Sequence, residues 1–233
     1  MPSPGPDAVP VLDAVARIVE LGGAPDRQAI VGALRARFEG RTGAFAPEDA
    51  WFEERSRAFW CDAVTRGRFG REVTAELTPG ERAWVAPLER AHRGLFRVEV
   101  APAGRKLVDV WSGAEIVPTV VDEGSAAELD ASAGQLLDAR VVGADEPLVL
   151  ALLPGAVFHT REATPAIQAV LATARAKDLS TDDTLDALLR MERSLRALSR
   201  VKAAYAYRVE ALASPDAHGA AHLPVRRAAK GPT

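Results

Sequence analysis

The sequence predicts an α+β protein with N-terminal helices, a small five-stranded antiparallel barrel or curved sheet, and a C-terminal helical hairpin with one long helix. Apolar residues recur at helical spacing over residues 7–93 and again over residues 164–213. Between them, over residues 94–160, apolar and polar residues alternate as they do in half-buried strands. The chain has 233 residues, 48% of them apolar and 26% charged, which is enough to bury a core.

Four helices are predicted before the strands, after a proline-rich start at residues 1–6 that we expect to be disordered. The first three show apolar residues at steps of three and four. The fourth has the clearest start signal, because Thr78, Pro79 and Glu81 form a capping box with proline in the first turn. We expect this helix to continue to Gly94, with two basic residues in its last turn.

The strands begin with the alternating stretch "GLFRVEVAPAGRKLVDVW", which turns at residues 102–104. Ser112 and Gly113 form a two-residue hairpin turn, after which we expect the chain to stay extended. Two further strand-like runs are "GQLLDARVV" and "PLVLALLPGAVFH", with room for a bulge at Gly155. Five short strands at this spacing predict a small barrel.

The C-terminal helices begin at Thr164 and at Ser180, where Ser180 and Asp183 resemble a second capping box. No glycine or proline follows as far as Leu212, so we expect one helix of about 30 residues. Its apolar residues follow a heptad register that Lys202 interrupts. They are Leu188, Met191, Leu195, Leu198, Tyr205, Val209 and Leu212. We expect residues 214–233 to form a flexible tail.

Composition points to a cytoplasmic protein without a membrane segment. No apolar run approaches the roughly 18 residues that span a bilayer, and the N-terminus lacks the features of a signal peptide. Cys61 is the single cysteine, so an internal disulfide is excluded. The net charge of −3 argues mildly against a dedicated nucleic-acid binder.

Motifs for catalysis, cofactors and metals are missing from the sequence. It contains no glycine-rich nucleotide-binding loop and no serine-hydrolase elbow. His218 and His222 have the spacing of a helical metal pair but lack further ligands. We therefore predict no catalytic, cofactor-binding or metal-binding residues. Among the histidines, His159 beside Arg161 and Glu162 is the best candidate should an active site exist.

Four short stretches, "FWCDAV", "LTPGERAWVAPL", "LVDVWSGAEIV" and "GQLLDARVV", combine turn and core residues in a common pattern. Over residues 50–170 this pattern resembles a segment that recurs in uncharacterised bacterial proteins. The chain departs from it where Ala114 precedes Glu115 and where Gln135 follows Gly134. The resemblance implies a shared fold and no particular activity.

Two functional hypotheses follow. The first is a non-enzymatic protein–protein interaction or assembly component, which binds itself or another protein through the apolar residues of the long C-terminal helix. The alternative is a nucleic-acid-associated or regulatory protein that uses the basic face of this helix and the tail. Arg193, Arg196 and Arg200 lie on one face of the predicted helix and would contact an acidic partner in either case.

Overall fold

The computed structural model describes residues 10–101, 104–145, 148–197 and 202–212. It confirms the α+β architecture: helices, then an antiparallel sheet, then helices again. Several predictions fall outside the described residues: the disordered start at 1–6, most of the turn at 102–104, the tail at 214–233, and the contacts of Leu198 and Arg200.

Six α-helices precede the sheet in the described residues. They are Val11–Gly22 (α1), Gln28–Thr42 (α2), Phe52–Val64 (α3), Phe69–Glu72 (α4), Pro79–Arg82 (α5) and Val85–Glu89 (α6). Their apolar faces enclose a first core, in which Phe38 packs edge-on against Phe45 and Phe59. Phe38 lies on α2, Phe59 on α3 and Phe45 between the two helices, so three parts of the chain contribute to this core.

The predicted fourth helix is wrong in its length, although its start is confirmed. Thr78 and Glu81 form the capping box, but the helix ends at Arg82 and a separate helix spans Val85–Glu89. Pro87 explains the break, because it has no N–H to donate to the carbonyl of Ala83 four residues earlier. The chain then enters a strand at His92, two residues before the predicted helix end at Gly94.

The sheet contains the strands His92–Ala101 (β1), Gly104–Asp109 (β2), Glu115–Ile116 (β3), Leu136–Asp145 (β4), Leu148–Leu152 (β5) and Val157–His159 (β6). Their order is β3-β2-β1-β4-β5, and β6 pairs with the start of β4. All of these pairs are antiparallel. The predicted runs that contain β1, β2 and β4 are confirmed, and the last run lies along one edge of β4 as β5 and β6. The predicted two-residue turn at Ser112 and Gly113 is wrong, because five residues connect β2 to β3 and β3 has two residues.

This sheet curls because its two edges are joined by a very short connection. Ile116 lies on the edge strand β3, whereas the Thr119 N–H donates to the carbonyl of Leu150 on β5 at 2.8 Å. The N–H of Leu152 donates to the carbonyl of Val120 at 2.9 Å, next to a parallel bridge between Val120 and Ala151. Three residues of chain span about 10 Å at most, so the edges must approach each other.

A helix follows where the sequence analysis expected extended chain. It spans Glu123–Ala131 (α7), and Asp122 caps it by accepting a hydrogen bond from the Ser125 N–H at 3.0 Å. Leu129 of this helix is buried among residues of the sheet interior such as Phe96 and Leu137. The interior of the curled sheet is thus filled by side chains.

Three helices form the C-terminal part of the described chain: Thr164–Ala176 (α8), Thr181–Ala197 (α9) and Ala203–Ala206 (α10). The predicted cap of α9 is confirmed, because the Asp183 N–H donates to Ser180 Oγ at 3.1 Å. The single helix predicted as far as Leu212 is wrong. The described part of α9 ends at Ala197, and Lys202 has extended backbone with φ −65° and ψ 141°.

The chain after α9 folds back because its apolar residues find partners within the protein. Ala203, Ala206, Tyr207 and Ala211 are buried in a second core that α8 and α9 also line. Burial of this kind stabilises the folded-back path, whereas a free helix of about 30 residues would leave the apolar stripe in water.

A buried ion-pair network joins the N-terminal helices, the sheet and α9. Asp186 of α9 accepts from Arg93 of β1 at 2.6 Å and from Arg66, which follows α3, at 3.0 Å. Arg93 also makes a two-point contact with Asp138 of β4 at 2.8 and 3.1 Å. Burial raises the pKa of Asp186, but its arginine partners, Arg93 first, outweigh this and hold the pKa below its ordinary value.

Candidate functional site

The seven apolar residues predicted as partner contacts have different surroundings. The fully buried ones are Leu188 and Met191, the partly buried ones are Leu195, Val209 and Leu212, the exposed one is Tyr205, and Leu198 lies outside the described residues. Leu188 and Met191 belong to the second core of this chain, so they are not available to a partner in this conformation. Tyr205 is 67% exposed, although it carries a large aromatic side chain.

The surroundings of Tyr205 are basic. Lys202 and Arg208 flank it in the same short segment, and both side chains are exposed. Neither makes a hydrogen bond or an ion pair within the part of the chain that the structure describes. Glu210 is also exposed in this segment, which leaves one positive charge in excess among the three groups. We call residues 202–210 the C-terminal segment.

The C-terminal segment is held in place by Tyr207, which enters a buried polar cluster with His159 and Glu192. The Tyr207 hydroxyl donates to Glu192 Oε2, and it lies 2.8 Å from His159 Nδ1. Because the phenolic proton is given to Glu192, His159 Nδ1–H is the donor towards Tyr207. Arg196 completes the cluster by donating to Glu192 Oε1 at 2.7 Å.

Burial and neighbouring charge shift the pKa values in this cluster. Burial raises the pKa of Glu192, but hydrogen bonds and charges from His159, Tyr207 and Arg196 outweigh it and lower the pKa to about 2. Burial and the Glu192 carboxylate together raise the pKa of Tyr207. His159 is 0% exposed, so a substrate would reach the imidazole only after the surrounding chain moves.

The predicted basic face of α9 is turned inward where the structure describes it. Arg196 pairs with Glu192 and with Glu54 of α3. Arg193 is half-buried and packs against Gly43 at the end of α2, where an added Cβ would lie 3.0 Å from Arg193 Cδ. These contacts occupy Arg196 and partly cover Arg193, because both face the N-terminal helices rather than solvent.

An open cleft of about 190 Å³ lies where α3, α7, α9 and the connection between β5 and β6 meet. Its charged lining consists of Glu54, Arg57, Glu128 and Arg196. Two carboxylates face two guanidinium groups, so the charges balance. This balance gives the cleft no preference for an anion or a cation.

The described residues show neither a cluster of metal ligands nor a helix suited to a membrane. Among the described residues, no three His, Cys, Asp or Glu side chains come together in a way that could hold a metal ion. No helix in the described ranges has the length and the apolar character that crossing a bilayer requires.

The sequence analysis missed a group of buried donors between α3 and α9. Trp51 Nε1, Arg55 Nε and Nη1, and Arg193 Nε are buried and have no hydrogen-bond partner in the described chain. Trp51 and Arg193 are separated by most of the chain, so no spacing signal could connect them. One feature of the sequence does suggest a buried polar group here: Arg55 lies among aromatic core residues.

Comparisons with known proteins identify no relative. No family model, no curated protein and no solved structure matches the chain. The resemblance of residues 50–170 to uncharacterised bacterial proteins therefore stays a hypothesis from the sequence.

Proposed function

We propose that the protein is a non-enzymatic component of a protein complex and that its C-terminal segment docks an acidic surface of another protein. One observation carries this proposal. Tyr205 is 67% exposed and is flanked by Lys202 and Arg208, whose side chains have no hydrogen-bond or ion-pair partner among the described residues. Tyrosine and arginine are enriched at the energetically important centres of protein interfaces.

Charge favours an acidic partner over a second copy of this chain. An interface between two copies related by a twofold axis would bring the same basic segment together twice. Like charges across an interface oppose association, whereas a carboxylate-rich surface would pair with Lys202 and Arg208. A partner with acidic residues around an apolar pocket for Tyr205 fits both features of the segment.

Nucleic acid fits the segment less well. Binding to a phosphate backbone requires several unpaired cations along one face. Arg190 is 8% exposed and donates to the carbonyl of Arg41, and Arg196 is paired with two carboxylates. Within the described part of the C-terminal segment, Lys202 and Arg208 give a small basic footprint. As part of this proposal we place the protein in the cytoplasm, since its single cysteine suits a reducing compartment.

The proposal is tested by placing a photo-crosslinking amino acid at position 205 in the cell of origin. We expect a discrete adduct with one acidic protein. The purified partner should bind the chain with an affinity that falls as salt rises. Tyr205→Ala should weaken this binding at least about tenfold, and Lys202→Glu combined with Arg208→Glu should abolish it.

Val100 provides a matched control, because it is 69% exposed but lies on β1, away from the C-terminal segment. A crosslinker at position 100 should not give the same adduct, and Val100→Ala should leave the affinity unchanged. The proposal fails if both positions capture the same molecules, if the adduct at position 205 is nucleic acid or a second copy of the chain, or if charge reversal has no effect.

A further inference from the structure

A small cavity lies between the start of α3 and the end of α9. Its volume is about 10 Å³ for the centre of an occupant, so it has room for one water molecule or one small ion. Trp51, Arg55 and Arg193 line it, and each of them carries a buried N–H without an acceptor in the described residues. A buried donor left unpaired costs about 1–3 kcal/mol, so several donors around one cavity indicate a missing acceptor.

The Arg55 side chain is held in a fixed orientation beside the cavity. It is 5% exposed, and its Nη2 group donates to the carbonyls of Thr42 and Gly43 and to the Thr42 hydroxyl at 2.8–3.0 Å. The guanidinium also lies over the ring of Phe38 at 5.1 Å. These contacts fix the orientation of the group, so its Nε and Nη1 donors cannot turn to other acceptors.

The charges around the cavity leave one positive charge in excess. Three guanidinium groups face two carboxylates: Arg55, Arg193 and Arg196 against Glu54 and Glu192. Both oxygens of Glu192 are already engaged, by Arg196 on one side and by Tyr207 on the other. The pKa of Arg55 is lowered to about 10 by burial and next by Arg193, which indicates that the positive charge is incompletely neutralised.

We propose that Trp51, Arg55 and Arg193 form a buried binding site for a monatomic anion such as chloride. A water molecule accepts only two hydrogen bonds and leaves the excess charge in place, whereas a halide accepts from several directions and cancels that charge. Phosphate and carboxylate groups are too large for the cavity. The anion would connect α3 to α9, and this inference does not rest on the proposed docking of a partner.

The test measures the thermal unfolding of the full chain at constant ionic strength, with chloride replaced stepwise by gluconate. An anion that binds only the folded state raises Tm with its concentration. We expect Tm to rise with chloride and with bromide but not with gluconate. Crystals soaked in bromide should show an anomalous peak within hydrogen-bond distance of Trp51 Nε1 and Arg55.

Two variants separate the site from general salt effects. Arg55→Met should remove the halide dependence, whereas Arg57→Met should keep it, because Arg57 is exposed on the same helix and makes no contact with the cavity. Should the Arg55 variant fail to fold, Trp51→Phe removes one donor and should weaken the halide dependence. A water molecule in the cavity without anomalous signal, or a Tm that responds equally to all three anions, would overturn the proposal.

Discussion

Tyr207 shows how one side chain can decide the path of a chain. Its ring is buried in the second core, while its hydroxyl lies between His159 and Glu192. Tyr205, two residues earlier, points away and is 67% exposed. The buried tyrosine therefore fixes the C-terminal segment against α9, and this leaves the exposed tyrosine free for the proposed partner.

Glu192 carries a prediction about acid stability. Its pKa falls from an ordinary value of 4.5 to about 2 in the folded protein, so the folded state favours the ionised carboxylate. The resulting stabilisation is present above pH 4.5 and is lost as the pH falls from 4.5 through about 2. Glu192→Gln should reduce the free energy of unfolding at pH 7 by about 3 kcal/mol and should flatten its pH dependence in that window, as measured by urea unfolding.

The matched control for this prediction is Glu210→Gln, since Glu210 is exposed and has no ion pair in the described chain. That variant should unfold like the parent protein at pH 7. An equal loss of stability in both variants, or an unchanged acid profile in Glu192→Gln, would show that the cluster with His159, Tyr207 and Arg196 does not hold the ionised carboxylate.

Gly155 allows residues 153–156, which connect β5 to β6, to approach α3 closely. Its φ is +97°, and an added Cβ would lie 2.5 Å from the carbonyl oxygen of Arg57 and 2.9 Å from the backbone nitrogen of Ala58. The obstacle is helix backbone, which cannot move aside as a flexible side chain can. The bulge predicted at Gly155 is confirmed, because residues 153–156 lie opposite residues 139 and 140 of β4, between the pairs Val141–Leu152 and Asp138–Val157.

Gly155→Ala should destabilise the protein strongly, and Gly134→Ala is the matched comparison. Gly134 also has a positive φ, +81°, but nothing lies within 4 Å of its added Cβ. Both variants carry backbone strain of about 1–2 kcal/mol, and overpacking should add about 1–3 kcal/mol at Gly155 alone. The free energies of unfolding from urea titration should differ by that amount. An equal loss of unfolding free energy in the two variants would mean that the connection between β5 and β6 moves away from α3 without cost.

The local signals in the sequence predicted the starts of helices well. The caps at Thr78 and Ser180 are confirmed because a capping box is decided within four residues. Two local signals were overlooked: Pro87, which interrupts the predicted fourth helix, and Asp122, which caps α7. The end of α9 could not be predicted in this way, because it depends on the contact of Tyr207 with a strand residue far away in the chain.

The candidate sites also differ in whether local signals in the sequence could identify them. Tyr205 was predicted as a partner contact from the heptad pattern, and the structure leaves it exposed, whereas Leu188 and Met191, predicted in the same way, are buried in the second core. The cavity between Trp51, Arg55 and Arg193 could not be found. Its donors come from helices that only the complete fold brings together, and each of these residues taken alone resembles an ordinary core or surface position.

The ion-pair network joins the three parts of the chain, and we expect it to make them unfold together. Asp186 contacts Arg93 of the sheet and Arg66 after α3, and a second set of pairs joins Asp62 of α3 to Arg140 of β4 at 2.6 Å. Removing one partner of such a pair leaves an uncompensated buried charge, which is more costly than the pair is stabilising. We therefore expect the helices and the sheet to lose their structure in one transition.

Asp186→Asn tests this coupling, because it removes the charge while keeping the size of the side chain. Arg93 and Arg66 would lose their shared carboxylate, so the free energy of unfolding should fall by about 3–5 kcal/mol. Asp182→Asn is the control: Asp182 lies one turn earlier on α9, is 48% exposed, and reaches Arg66 and Arg93 only at 3.9 and 4.0 Å, so its loss should cost less than about 1 kcal/mol. Urea unfolding followed by far-ultraviolet circular dichroism and by tryptophan fluorescence should give coincident curves for the parent protein, and curves that move to lower urea and separate in Asp186→Asn. Curves that stay coincident in this variant would mean that the apolar cores, and not the network, hold the parts together.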